Sequence, residues 1–383
     1  MTRFDSPRVL FLGTTYAGHA TRFANLRANV ESDDRVASSF SSVTGWREGG
    51  AFERMTVLPR AVRGRMRAVA EASTFARLPR PDVIWLSAPE VAALYAWAQL
   101  GSWKRPVVLD LDATPQQLDD MAHAYFGRPG KRGFRRLAAH LNERLLRPSI
   151  LAYTPWSHWA ATGLRDAGVP DEKIQIIPPG VDLSRWAVPV RTSSEAGSPL
   201  RILFVGNNFV RKGGDLLVEL LQSPWGQQFH LDVVSGEDVV VDAPNIRLHR
   251  VAANTPELRA LFTQAEIFAL PTRAECFGIA AVEAMASGLP VIMGNVGGAA
   301  DIVDHGVTGW LIEPTSGHLR DALHHVLATR DQLSNIGARA RLTAEVKFNG
   351  AANDGRVIDL LLDLHARTVQ DRTGARRAQA LEP

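Results

Sequence analysis

The chain has 383 residues, more than one ordinary hydrophobic core supports, so we expect two domains of roughly 150 to 200 residues each. Hydrophobic residues make up 45% and charged residues 22%, which is typical of a globular protein and not of a disordered one. Residues 1–150 hold 22 basic and 14 acidic side chains, leaving 21 and 26 for the rest, so the first part suits phosphates of nucleic acid, anionic lipid or a phosphorylated substrate.

The number of cysteines and the N-terminal sequence both indicate the cellular compartment of the protein. Cys276 is the only cysteine, which excludes an internal disulfide and predicts a reducing compartment. The apolar run near the N-terminus is too short for a signal sequence or a membrane span. We therefore expect a cytoplasmic protein.

Short apolar runs alternate with stretches of helical spacing along the whole chain. Continuous apolar strands separated by helices predict parallel sheets covered on both faces, an α/β fold. The predicted strands are Val9–Leu12, Val83–Leu86, Val107–Leu111, Ile150–Tyr153, Arg201–Val205, Leu231–Val234, Ile267–Leu270 and Val291–Met293, and the clearest helices of the first half are Glu90–Leu100 and Phe134–Leu146.

The strand 107–111 ends in two aspartates. Asp110 and Asp112 lie two positions apart, so alternation sends their side chains to the same face at the carboxyl edge of the sheet. One of them could position a substrate hydroxyl, and Asp112 is our candidate. The alternative roles for it are helix capping or a loop hydrogen bond.

Two segments concentrate arginines beside apolar residues, Arg60–Arg80 and Arg128–Arg147. An amphipathic helix of this kind can meet anionic lipid headgroups at the inner membrane face. A salt-bridged surface is the simpler alternative. Neither segment interleaves aromatic residues with its bases, so we expect no nucleic-acid partner.

Periodicity is lost over 186–199, where proline, serine and glycine accumulate, as in a linker. We therefore expect an N-terminal domain at 1–185 and a C-terminal domain at 200–369, with a flexible tail at 370–383. The last clear helix, about Gly355–Val369, could pack back on the N-terminal domain. His and Cys spacing matches no metal site.

The stretch RILFVGNNFVRKGGD runs from a strand through a glycine turn at Gly206 into a helix that Arg211 and Lys212 open. The helix dipole should repel two adjacent cations at its N-terminus unless an anion is bound there. A diphosphate would be such an anion. Exposed bases in a loop are the plainer alternative.

Two glutamates stand eight positions apart in TRAECFGIAAVEAMASGLPVI. Glu275 lies in a strand-to-helix turn at the carboxyl edge of the sheet, and Glu283 lies within the helix predicted from about Phe277 to Ala286. Eight helical residues rise about 12 Å, comparable to the distance from a hexose ring past a diphosphate to a ribose. Taken alone, the pair also fits an acidic residue near a helix start and a solvated glutamate.

The second half of the chain resembles the nucleotide-sugar-binding region of retaining GT-B glycosyltransferases, specifically family 4 (glycosyl transferases group 1). The matching residues are Glu275, Phe277-Gly278, Glu283-Ala284-Met285, Gly288-Leu289-Pro290-Val291, Gly297-Gly298 and Gly306–Gly309. Ser157–Trp186, with its IIPPGVD, resembles the family's segment before the hinge. The resemblance implies two Rossmann-like domains facing each other across a cleft, with the donor held mainly by the C-terminal one.

The resemblance also implies roles for individual residues. Glu275 would contact the donor sugar and Glu283 the ribose, while Lys212 matches the family's lysine. Asn207 stands where the family has an arginine, so Arg211 is the candidate for the missing cation. The remaining implied donor contacts are Gly18 in the first-strand loop 13–19, Gly206, Asn207, Cys276, Phe277, Gly278 and Ile279. We assign His19 only as a loop residue.

The implied reaction moves a hexose from a UDP- or GDP-linked donor to a hydroxyl of a glycan, lipid-linked or small-molecule acceptor, with retention at the anomeric carbon. No metal and no cofactor are expected, since stabilisation of the diphosphate charge and positioning carry the catalysis. An epimerase or hydrolase on the same fold, or a non-catalytic sugar-nucleotide-binding protein, is the alternative.

Overall fold

The computed structural model describes residues 6–14, 17–43, 47–58, 63, 66–67, 70–71, 81–87, 106–127, 150–186, 188, 197–241 and 243–379. The predicted helices at 90–100 and 134–146, the arginine segment 128–147 and most of 60–80 and 186–199 lie outside these ranges. Elements are numbered below in chain order within the described residues.

The described residues build two separate parallel sheets. The first has five strands in the order β2-β1-β3-β4-β5, and the second has six in the order β11-β10-β9-β6-β7-β8. Every strand pair in both sheets is parallel. The predicted α/β class with two Rossmann-like domains is therefore confirmed.

All eight predicted strands are present, and three more complete the sheets. The three additional strands, β2, β8 and β11, lie at sheet edges. The strands are β1 Arg8–Thr14, β2 Ala37–Val43, β3 Val83–Ser87, β4 Val107–Leu111, β5 Ile150–Pro155, β6 Leu200–Val205, β7 Phe229–Val234, β8 Ile246–His249, β9 Ile267–Leu270, β10 Val291–Gly294 and β11 Gly309–Ile312.

Helices cover the faces of both sheets, because a connection between parallel strands has to cross back over the sheet and usually does so as a helix. The described helices are α1 Ala17–Val30, α2 Pro115–Asp120, α3 Ala122–Phe126, α4 His158–Asp166, α5 Gly214–Leu221, α6 Pro256–Gln264, α7 Ile279–Ala286, α8 Ala299–Ile302, α9 Ser316–Ala328, α10 Leu333–Lys347 and α11 Gly350–Gln379. Helix α11 is longer than predicted at both ends and runs into the segment expected to be a tail.

The last helix, α11, packs on the first sheet rather than on the second. Its Val357, Ile358 and Leu361 are fully buried in a cluster that also holds Phe11 of β1 and Trp85 of β3. The chain thus leaves the first sheet, builds the second and returns to the first.

Each sheet reverses its strand order at one point. In the first sheet β1 lies between β2 and β3, and in the second β6 lies between β7 and β9. At such a switch point the loops leave the carboxyl edge in opposite directions and open a crevice, where ligands of open α/β sheets bind. The loops after β1, β3, β6 and β9 therefore border the crevices where a ligand would bind.

A buried ionic group fastens α11 to the first sheet. Arg22 of α1 is wholly buried, and its Nη1 donates to Asp354 of α11, while its Nη2 lies 3.9 Å from Asp110 of β4. Asn29 donates to the other Asp354 oxygen over 2.7 Å. A buried cation is tolerated only with such partners, because its desolvation costs several kcal/mol.

We predict that Asp354→Asn lowers the free energy of unfolding by about 3 kcal/mol, since it leaves the Arg22 charge buried with Asp110 alone. Asp359→Asn is the matched control on the same helix, because Asp359 is 65% exposed and pairs with the half-exposed Arg35. The control should change stability by less than about 1 kcal/mol. Urea unfolding of both variants measures the difference, and equal midpoints would contradict the role of the buried group.

Candidate active site

The switch point of the second sheet brings Lys212 and Glu275 together. Lys212 follows β6, Glu275 follows β9, and Lys212 Nζ lies 2.9 Å from Glu275 Oε2. Both side chains are mostly buried, with 17% and 11% of their surface exposed. Because the two side chains are only slightly exposed to water, their charges attract each other more strongly than they would on an open surface.

The glycine turn after β6 lets Lys212 reach this position. A Cβ on Gly206 would lie 2.4 Å from Lys212 Cδ, so any larger residue would displace the lysine stem. Asn207 turns away and accepts a hydrogen bond from the Gly236 N–H over 2.9 Å. Its amide therefore does not replace the cation that the resemblance leads one to expect at that position.

Arg211 lies beside the same carboxylate. Its Nη1 is 3.7 Å from Glu275 Oε2 and donates to the Ala274 carbonyl, and 10% of the side chain is exposed. Its guanidinium carbon also lies 4.4 Å from the centre of the Tyr125 ring. Two cations therefore converge on Glu275 from the turn just before α5.

Helix α7 points its N-terminus into the same crevice. Its N-cap is Gly278, whose φ of +104° is a conformation that favours glycine, and no side chain caps this end. The unpaired N–H groups of the first turn are therefore available to an anion. Phe277 is only 2% exposed and belongs to the core, so it can meet a ligand only through its backbone.

The first turn of α1 lies opposite α7. A Cβ on Gly18 would be 3.7 Å from Cδ1 of Ile279, an ordinary van der Waals distance. Gly18 and Ile279, both implied donor contacts, thus lie close together at the starts of α1 and α7. Both positive dipole ends and the two cations therefore lie on this side of the crevice.

Glu283 lies one turn further along α7 and is 6% exposed. Burial raises the pKa of Glu283 to about 8, and Lys212 offsets this only in part. The carboxyl is therefore mainly protonated at neutral pH, so it can both donate and accept a hydrogen bond.

On the first sheet, Asp112 pairs with a histidine that the sequence left as a loop residue. His19 Nε2 lies 3.1 Å from Asp112 Oδ1, and His19 Nδ1 lies 3.0 Å from Ser87 Oγ at the end of β3. Burial alone would raise the pKa of Asp112, but His19 outweighs it and lowers the pKa below its ordinary value. His19, Ser87 and Asp112 follow β1, β3 and β4, so the carboxyl-edge rule could have found this group.

The structure separates the roles of the two aspartates. Asp110 is fully buried and accepts from Thr154 Oγ1 and Trp156 Nε1 over 2.9 and 2.7 Å, so it holds the fold. Burial raises its pKa despite these donors and Arg22. The capping alternative for Asp112 is wrong, because Thr114 caps the helix that follows.

Trp156 connects the two sides of the crevice. Its ring centre lies 4.6 Å from that of His19, with the two rings tilted. The ring centre of Phe277 lies 5.9 Å away, and this pair packs edge to face. Cys276, next to Phe277, is 2% exposed, and burial followed by the Asp112 charge raises the pKa of its thiol well above the ordinary value. Cys276 is thus an inert, buried thiol in contact with both sides.

No group of three or more histidine, cysteine or acidic residues among the described positions is arranged to hold a metal ion. Metal independence stays a prediction. None of the helices in the described ranges is long and apolar enough to cross a bilayer.

Solved structures with the same arrangement identify the class of fold. Sucrose-phosphate synthase from Thermosynechococcus elongatus superposes with a TM-score of 0.74 at 18% identity, covering 94% of this chain and all of that one. HepE from Anabaena, solved with UDP and glucose, superposes with a TM-score of 0.67 at 17% identity, covering 93% of this chain and all of that one. The fold is therefore GT-B, with two Rossmann-like domains.

Two family models match the chain, the "Glycosyl transferase 4-like domain" over residues 17–180 and "Glycosyl transferases group 1" over residues 191–343. Together they span most of its length. The chain belongs to the glycosyl transferases group 1 family, as its motifs predicted.

Curated relatives match over shorter stretches. A D-inositol 3-phosphate glycosyltransferase of Nocardia farcinica is 32% identical over 201 residues, which cover 45% of this chain and 44% of that protein. A GDP-mannose-dependent alpha-(1-6)-phosphatidylinositol monomannoside mannosyltransferase of Mycobacterium tuberculosis is 29% identical over 216 residues, covering 48% and 54%. The chain spans about half the length of the curated relatives it matches.

Glu283→Gln should stabilise the protein more at alkaline than at acidic pH. Because the folded pKa of about 8 lies above the ordinary 4.5, the unfolded chain releases the proton first, and stability falls as pH rises between these values. The loss is about 1.4 kcal/mol per pH unit. Glutamine removes it, so the gain in unfolding free energy should be larger near pH 8 than near pH 5.

Glu219→Gln is the control, because Glu219 is an exposed glutamate of α5. Chemical unfolding of both variants at the two pH values gives the comparison. A Glu283→Gln gain that does not change with pH would show that the carboxyl is not neutral in the folded protein.

Proposed function

We propose that this chain is a retaining glycosyltransferase that moves a sugar from a nucleoside-diphosphate donor to an acceptor hydroxyl. The observation that carries the proposal is the convergence of Lys212, Arg211 and the start of α7 on Glu275, across the crevice from the Asp112–His19 pair. A cationic pocket beside an ion-paired carboxylate fits a sugar attached to a diphosphate.

In this proposal the diphosphate lies between the starts of α1 and α7, where Lys212 and Arg211 neutralise it. Glu275 then accepts hydrogen bonds from hydroxyls of the donor sugar. The protonated Glu283 exchanges hydrogen bonds with the ribose. Structural neighbours solved with UDP or UDP-glucose support a nucleotide sugar as the donor class.

The chemistry is a substitution at the anomeric carbon. The bond from this carbon to the phosphate oxygen breaks, and the bond to the acceptor oxygen forms on the same face. The departing phosphate takes the acceptor proton. Lys212 and Arg211 stabilise the charge that develops on that phosphate, a contribution that grows toward the transition state and so raises the rate.

The Asp112–His19 pair is placed to position the acceptor hydroxyl from the first sheet. The names of two relatives add inositol phosphates and phosphatidylinositol mannosides to the acceptors worth testing. The excess of bases in residues 1–150 suits a phosphorylated acceptor of this kind. A cytoplasmic location, with contact at the inner membrane face, remains a proposal.

The test is donor turnover with and without acceptor. A transferase releases nucleoside diphosphate from UDP-glucose or GDP-mannose only when the right acceptor is present, and NMR of the product should show the donor's anomeric configuration. Full donor consumption in water alone would favour the hydrolase alternative. Binding without any turnover across the acceptor panel would favour the non-catalytic alternative.

Lys212→Ala and Glu275→Gln should each lower turnover by at least roughly 100-fold, about 2.7 kcal/mol of transition-state stabilisation. Lys347→Ala is the control, because Lys347 is an exposed lysine at the end of α10. Initial rates at saturating donor provide the measurement, with unfolding curves to confirm that the variants fold. Near-normal rates in both site variants would refute the assignment of these residues.

A further inference from the structure

Tyr125 reaches from the first sheet's side into the proposed donor site. It belongs to α3, yet its hydroxyl and ring contact Cys276 and Arg211 of the other domain. We propose that Tyr125 occupies part of the donor's place in the empty protein and must move away when the nucleotide sugar binds. This inference rests on the proposed function.

The hydroxyl of Tyr125 uses a donor group of the sugar-side loop. It accepts a hydrogen bond from the Cys276 N–H over 3.0 Å and lies 3.2 Å from the thiol sulfur. Cys276 directly follows Glu275, the residue assigned to the sugar. In the proposed site, the phenol oxygen therefore accepts a hydrogen bond that a sugar hydroxyl would accept when the donor is bound.

The ring of Tyr125 covers the second cation. The guanidinium carbon of Arg211 lies 4.4 Å from the ring centre, close enough for a cation–π interaction. The Arg211 Nε is buried and meets no hydrogen-bond acceptor among the described residues. A cation held this way keeps an unused donor, which an incoming phosphate could take once the ring has moved.

Its contacts stabilise the Tyr125 side chain in this position, but contacts with a bound donor can replace them. The hydroxyl is largely shielded from water, and desolvation followed by the charge of Glu275 raises the pKa of the phenol. It therefore stays neutral and acts as a hydrogen-bonding group, not as a base. Donor binding exchanges one hydrogen bond and one cation–π contact for sugar and phosphate contacts.

Two substitutions separate the hydroxyl from the ring. Tyr125→Phe removes only the hydroxyl, so it should tighten binding of both the nucleotide sugar and the bare nucleoside diphosphate about fivefold, because either ligand displaces the whole phenol. Tyr125→Ala also uncovers Arg211, so it should tighten binding of both ligands by about a further threefold.

The probes are UDP, UDP-glucose, GDP and GDP-mannose, and titration calorimetry gives the dissociation constants. Tyr153→Phe is the matched control, because Tyr153 lies buried in β5 within the core of the first sheet. It should leave all four constants unchanged. Melting temperatures of the empty variants show separately how much the contacts contribute to stability.

The outcomes distinguish the possible roles of Tyr125. Weaker nucleotide-sugar binding in Tyr125→Phe would make the hydroxyl a donor contact and overturn the proposal. Unchanged constants with a lower melting temperature would make Tyr125 purely structural and also overturn it. If the parent protein binds none of the four probes, the proposed function itself fails, and this inference fails with it.

Discussion

The ion pair between Lys212 and Glu275 is the interaction on which the site depends. It joins the loops after β6 and β9, which are adjacent strands at the point where the second sheet reverses its order. Without a bound anion, the carboxylate is what balances Lys212 and the nearby Arg211. A bound donor diphosphate would neutralise Lys212 and Arg211 in place of Glu275. The Glu275 oxygens would then be available to sugar hydroxyls, so phosphate binding and sugar binding would be linked through charge balance.

The segment at the start of α8 also contacts the first domain. Asp301 of α8 accepts hydrogen bonds from the N–H groups of His158 and Trp159 over 2.9 and 3.4 Å, so a carboxylate of one domain caps helix α4 of the other. Gly298, just before α8, donates to the Cys276 carbonyl over 3.1 Å. The α8 segment therefore contacts both the first domain and the proposed sugar loop.

Sequence reasoning predicted what depends on periodicity and on local motifs. The eight predicted strands were found because most of their residues are apolar and buried. Two of the three missed strands lack such a run: β2 reads ASSFSSV, with one buried residue, and β8 has two exposed positions. The third, β11, is almost fully buried, so exposure does not explain why it was missed. Lys212, Glu275 and the start of α7 were predicted because they lie within short segments that carry the family's motif.

The group around His19 could not be read from neighbouring positions, because His19, Ser87, Asp112, Tyr125 and Trp156 come from five separate parts of the chain. Only the strand order brings them to one edge. Knowing that β1 lies between β2 and β3, one would have placed the residues after β1 and β3 side by side. Topology, and not composition or spacing, was the missing information.

The buried ionic group of Arg22, Asp110 and Asp354 lies next to the residues of the proposed acceptor side. Asp110 lies two residues before Asp112 on the same strand end, and Arg22 lies one helical turn after His19 on α1. Asp110 also fixes the indole of Trp156, which packs on His19. Because α11 supplies Asp354 to this group, docking of the last helix holds the strand end and the helix that carry Asp112 and His19. The return of the chain to the first sheet thus supports the acceptor side as well as the fold.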